Sequence, residues 1–122
     1  MIESYKDLRV YQLSYRLAME LLWLSKKLPK EELYSLTDQF RRSTRSITAN
    51  VVEGWSKRYY ENTFKRHLLD SMGSCDETKL WLNFALDCKY ITKEYHSNLT
   101  GQYEELGKML YRLWENWETY AE

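Results

Sequence analysis

Two histidines and two cysteines are the strongest candidates for chemistry in this sequence, and their spacing argues against it. A helical bundle can hold a di-iron centre, but that centre needs a Glu-x-x-His motif from each of two helices. Phe64 and Lys93 stand three residues before His67 and His96, so neither motif exists. The same four residues also fail the common zinc spacings. Ser74 with His67 could suggest a nucleophile and its base, yet two turns of helix hold them about 10 Å apart along the axis. Gly73-Ser74-Cys75 falls in mid-helix, not at the strand-to-helix turn that a phosphate-binding glycine loop or a nucleophile elbow requires. No catalytic, cofactor-binding or metal-ligating set is expected, no small-molecule substrate is evident, and the chain reads as a non-enzyme.

The polar residues that do recur regularly are of another kind. Gln39, Arg42, Ser46, Asn50 and Glu53 repeat every three or four positions, so they share one helix face beside the apolar stripe. Arg66, Asp70, Ser74 and Glu77 repeat in the same way further along. In an antiparallel hairpin turning at Tyr59–Tyr60, facing residues keep a near-constant index sum. That register sets Arg42 opposite Glu77, Glu53 opposite Arg66, Ser46 opposite Ser74 and Asn50 opposite Asp70. The expectation is a partly buried polar seam that fixes the hairpin's register. Removing one charge of a fully buried pair would cost about 3–5 kcal/mol. The alternative is that these groups bind a ligand or RNA.

A second set combines charge with aromatic rings. Arg41 and Arg45 lie on the outer face of the second helix; Lys57, Arg58, Lys65 and Arg66 surround the turn after it, with Trp55, Tyr59 and Tyr60 among them. Basic groups interleaved with aromatics can hold phosphates and stack on bases. A solvated face, or aromatic tips serving subunit contacts, is the competing explanation.

These residues must be positioned by helices. Val10, Ser14, Leu17, Leu21, Leu24 and Leu28 form a stripe at helical spacing, with Leu8, Tyr11, Tyr15, Ala18 and Leu22 as a second one; Pro29 then closes a helix over 8–28. A second helix starts near Glu31 and ends near Arg58, with a core stripe of Leu36, Phe40, Ser43, Ile47, Val51 and Gly54. A third spans 61–89. Phe64, Leu68, Cys75, Leu82 and Leu86 line one face, and Leu69, Gly73, Leu80 and Phe84 line another almost opposite. One stripe suffices for a helix in a monomeric bundle, so the second face points to an oligomer interface. A fourth helix follows Thr92 as N-cap and runs to about Tyr120, with Tyr95, Leu99, Leu106, Leu110, Leu113 and Trp117 inward. The fold class is all-α: an antiparallel up-down-up-down four-helix bundle, one domain over 1–122.

Composition agrees. At 122 residues the chain suits one hydrophobic core, and one proline with four glycines favours long helices. The net charge is zero but uneven: residues 1–60 carry eleven Lys/Arg against seven Asp/Glu, and residues 61–122 the reverse. Complementary helices packing within one bundle would explain that split, whereas a nucleic-acid footprint is stronger on a net basic domain. Cys75 and Cys88, on one helix about 20 Å apart, cannot form a bridge with each other. They are expected as free thiols of a cytoplasmic protein with no membrane span.

The stretch Gln39-Phe-Arg-Arg, Ser46-Ile47, Asn50-Val-Val-Glu53-Gly54, followed by Phe64 and by Gly73-Ser74 and Glu77, resembles the 23S rRNA intervening-sequence protein family, also called four helix bundle proteins. Tyr5-Lys-Asp-Leu-Arg-Val-Tyr-Gln12 and Leu28-Pro29 extend the resemblance over most of the chain. It implies a four-helix bundle assembling as a homopentamer, with RNA as a partner by analogy. The departure is Tyr59-Tyr60-Glu61, where a small hydroxyl cap usually opens the third helix. A self-associating bundle with an RNA-related role is the first expectation. A protein-binding scaffold without nucleic-acid contact is the second.

Overall fold

The computed structural model describes residues 2–117, which fold into four α-helices: α1 (Arg9–Ser25), α2 (Leu36–Ser56), α3 (Glu61–Asp87) and α4 (Lys93–Asn116). Each packs antiparallel on the next. The α2–α3 and α3–α4 contacts are the most extensive, and α1–α4 the least. The expected fold class is the observed one. The expected end of the fourth helix, near Tyr120, lies outside the described residues.

Helix limits differ from the sequence-based ones where the backbone must turn. The helix expected to reach Leu28 ends at Ser25, because Lys27 and Leu28 tighten onto Leu24 and Ser25 through i→i−3 bonds. Pro29 disfavours helical backbone in the residue before it. The second helix starts at Leu36 rather than Glu31. Lys30–Glu32 form a separate 3-10 turn, and Glu32 reaches forward to accept from the Leu36 N–H at 3.2 Å. That turn is pinned by the Tyr90 hydroxyl, which donates to Glu32 at 2.7 Å. Thr92 caps α4 as expected, accepting from the Tyr95 N–H. After α3 the chain reverses through Lys89 at φ 63°, a left-handed conformation, and the Tyr90 N–H bonds back to the Ala85 carbonyl.

The core is drawn from the first stripe of each helix; of the second stripe expected on α1, Leu8 is buried but Tyr15 is half exposed. Leu17, Leu21, Phe40, Ile47, Val51, Phe64, Leu68, Leu82, Leu106 and Leu110 are fully buried, joined by Tyr103, which no stripe included. At the end of the bundle where α2 turns into α3, Trp55, Phe64 and Trp117 stack edge to face with centroids 4.6–6.5 Å apart. Gly54 lets α3 approach α2 closely there. A Cβ on Gly54 would fall 2.8 Å from the His67 Cβ and 3.1 Å from a Phe64 ring carbon.

Candidate functional site

The α2–α3 hairpin forms in the predicted register, but different groups hold it. The Ser74 hydroxyl donates to Ser46 Oγ at 2.9 Å, as the alignment of the two required. Around it runs a column of neutral groups. Ser71 donates to the Ile47 carbonyl at 2.8 Å, and Thr78 Oγ1 lies 2.9 Å from both Ser43 Oγ and the Ser74 carbonyl. Asn50 donates to the Ser46 carbonyl at 3.0 Å and sets its Oδ1 2.9 Å from His67 Nδ1, so that nitrogen carries the proton. Ser43, Ser71 and Thr78 are all buried.

The charged members of the expected seam lie outside this column. Arg42 reaches Asp38 at 4.0 Å, with three quarters of its side chain exposed, and not Glu77. Glu53 pairs with Lys57 at 3.1 Å, and not Arg66. Asn50 takes His67 in place of Asp70. Arg66, Asp70 and Glu77 are exposed, and Gln39 is half-buried at the edge of α2. The physical reason is desolvation: Arg and Glu stay in water when their stems can splay, while hydroxyls and an amide satisfy one another inside. Ser43 stood in the predicted core stripe of α2. Its hydroxyl was the signal that a partner such as Thr78 must lie opposite.

The other candidate residues lie apart from one another. Among the described residues, no cluster of three or more His, Cys, Asp or Glu could hold a metal. His67 faces Asn50 rather than Ser74, and His96 faces Asn83 at 2.7 Å. Cys75 is buried and its thiol is pushed up to about 12 by desolvation, so it stays protonated. Burial likewise drives the Tyr103 hydroxyl far above the usual phenol range. Lys57, through its hydrogen bond and charge, holds Glu53 below the usual carboxylate value. No described helix is long and apolar enough to cross a membrane.

The basic set divides into two. Arg41 donates to Ser25 Oγ at 2.9 Å and Arg45 is exposed, both on the α1 side of α2. Some 18 Å further along α2, by helical rise, lies the turn group. There Arg58 sits 4.2 Å over the Trp55 ring and 4.7 Å over Tyr59, beside Lys57 and the exposed Tyr60. Lys65 lies near Glu61 and over Trp114. Among the described residues, the ion pairs found run along single helices rather than across the seam. Arg42–Asp38, Lys57–Glu53, Lys65–Glu61, Lys79–Asp76 and Arg112–Glu105 each join neighbours along one helix.

Two apolar faces remain in solvent. On α3, Leu69, Leu80 and Phe84 are each about half exposed around the exposed Gly73. On α1, Tyr15, Met19 and Trp23 are exposed above a shallow groove shared with α2.

Comparison with known proteins adds a lineage to this geometry. Residues 6–112 match the family model described as 23S rRNA-intervening sequence protein. A crystal structure of a protein of unknown function from the S23 ribosomal protein family, from Bacteroides thetaiotaomicron, is similar with a TM-score of 0.80. It shares 26% identity and aligns over 88% of this chain and 96% of its own. No curated protein matches.

Proposed function

The chain belongs to the 23S rRNA-intervening sequence protein family, and from that premise we propose that it is a non-catalytic, self-associating bundle whose assembled surface contacts RNA. The observation that carries self-association is α3. One face of this helix fills the core with Phe64, Leu68 and Leu82, while the opposite face leaves Leu69, Leu80 and Phe84 half exposed. Exposed apolar patches of this kind mark interaction sites. A homopentamer is the size the family resemblance suggests.

RNA contact is supported by the family description and by the turn after α2. Trp55, Arg58, Tyr59 and Tyr60 there combine stacking surface with positive charge. The competing proposal is a protein-binding scaffold. It is favoured by the zero net charge and by Lys57 and Lys65 lying against Glu53 and Glu61.

Sedimentation velocity and RNA anisotropy across a salt series separate these outcomes. The expected mass is a multiple of 14.9 kDa, and the expected RNA affinity falls steeply with salt, as phosphate contacts require. Arg58→Ala should reduce the salt slope by roughly one phosphate contact. A monomer at micromolar concentration refutes self-association. An oligomer with no RNA affinity at low salt leaves the scaffold.

A further inference from the structure

Gly73 sits on the exposed face of α3, between Leu69 and Leu80. A side chain built there meets nothing within the chain. Glycine weakens a helix interior relative to alanine, so internal packing gives no reason for it here. What a missing Cβ does provide is close approach by something outside the chain. Beside this face stand Asp70 and Glu77, both exposed and, among the described residues, without an ion-pair partner.

The complementary surface is on the same molecule but on another side. The groove between α1 and α2 has a volume of about 310 Å³ and is lined by Tyr15, Ala18, Met19, Leu22, Arg45 and Ala49, among others. Its floor is apolar and its lining includes an exposed arginine. Arg42, one turn earlier, adds a second, largely exposed arginine. An apolar ridge bordered by Asp70 and Glu77, with Arg66 at its N-terminal end, and an apolar groove bordered by Arg42 and Arg45 are complementary in charge over most of their length. Ridge and groove belong to different helices, α3 against α1 and α2. A contact between them is therefore heterologous, the type that builds rings or filaments from one chain.

We propose that the α3 ridge of one copy seats in the α1–α2 groove of the next, with Asp70 and Glu77 facing Arg42 and Arg45. This pairing rests on the self-association proposed above and names the two surfaces that carry it.

The test uses two double variants of the full chain. Leu80→Glu with Phe84→Glu removes the ridge and keeps the groove; Met19→Glu with Arg45→Glu removes the groove and keeps the ridge. All four positions are solvent-exposed, and circular dichroism checks that each variant folds. Leu69→Glu and Ala49→Glu serve in their place if either does not. By light scattering each variant alone should be a monomer of 14.9 kDa, and their mixture should give a 1:1 pair of twice that mass and nothing larger. A wild-type monomer overturns the self-association itself. A wild-type oligomer whose groove variant still assembles overturns only this pairing, because the ridge would then be meeting itself or another surface. So does a mixture that stays monomeric.

Discussion

Replacing Gly54 by alanine should destabilise the protein, although alanine is the better helix former. The added Cβ would lie 2.8 Å from His67 Cβ, where ordinary contact begins near 3.4 Å, so α2 and α3 must part by about 0.6 Å (3.4 less 2.8). The atom it meets is rooted in the α3 backbone and cannot swing aside. The same movement would stretch the Asn50–His67 hydrogen bond from 2.9 Å to about 3.5 Å, beyond useful geometry. Overpacking costs about 1–3 kcal/mol and the lost hydrogen bond about 1 kcal/mol, against a propensity gain of about 1 kcal/mol. The net expectation is a loss of about 1–3 kcal/mol. Urea unfolding followed by circular dichroism, at one protein concentration for every variant, reads it as a lower midpoint with an unchanged slope. Gly101→Ala is the control: that Cβ meets nothing, and stability should rise by about 1 kcal/mol. A Gly54→Ala midpoint equal to or above wild type would refute the close-approach argument.

Two further outcomes follow from the seam and the thiols. A double-mutant cycle with Ser43→Ala and Thr78→Val should give a coupling of about 0.5–1.5 kcal/mol, since both groups are buried and 2.9 Å apart. The corresponding cycle on Arg42 and Glu77 should give none, and a coupling there as large as the first would restore the ion-pair seam. A thiol reagent should modify the exposed Cys88 in the native protein and reach Cys75 only on unfolding. Because burial pushes the folded Cys75 thiol up to about 12, above its unfolded value, its contribution to stability is complete below the ordinary thiol pKa. It is lost as pH rises from there toward about 12. A Cys75→Ala variant with an unchanged alkaline stability profile, compared by urea midpoints across pH, would contradict that assignment.

The sequence by itself determined the bundle. Helical periodicity, one proline and the apolar stripes specify which faces go inward, since burying Leu17, Phe40, Phe64 or Leu106 outweighs any competing local preference. The turn at Tyr59–Tyr60 also set the hairpin register, in which Ser46 meets Ser74 as expected. The exposed ridge of Leu69, Gly73, Leu80 and Phe84 was legible for the same reason: a second apolar face on one helix has no room in a four-helix core. Only the tertiary structure decided how the polar residues are used. Whether Arg42 crosses to Glu77 or stays in water depends on the distance between two helix surfaces. Gly54 brings the backbones together at the turn end of the hairpin, buried hydroxyls and an amide fill the seam beyond it, and Arg42 stays in water beside Asp38. Charge pattern along a chain cannot report that separation. It arises from packing between residues far apart in sequence, and here it moved the charges of the seam to the surface.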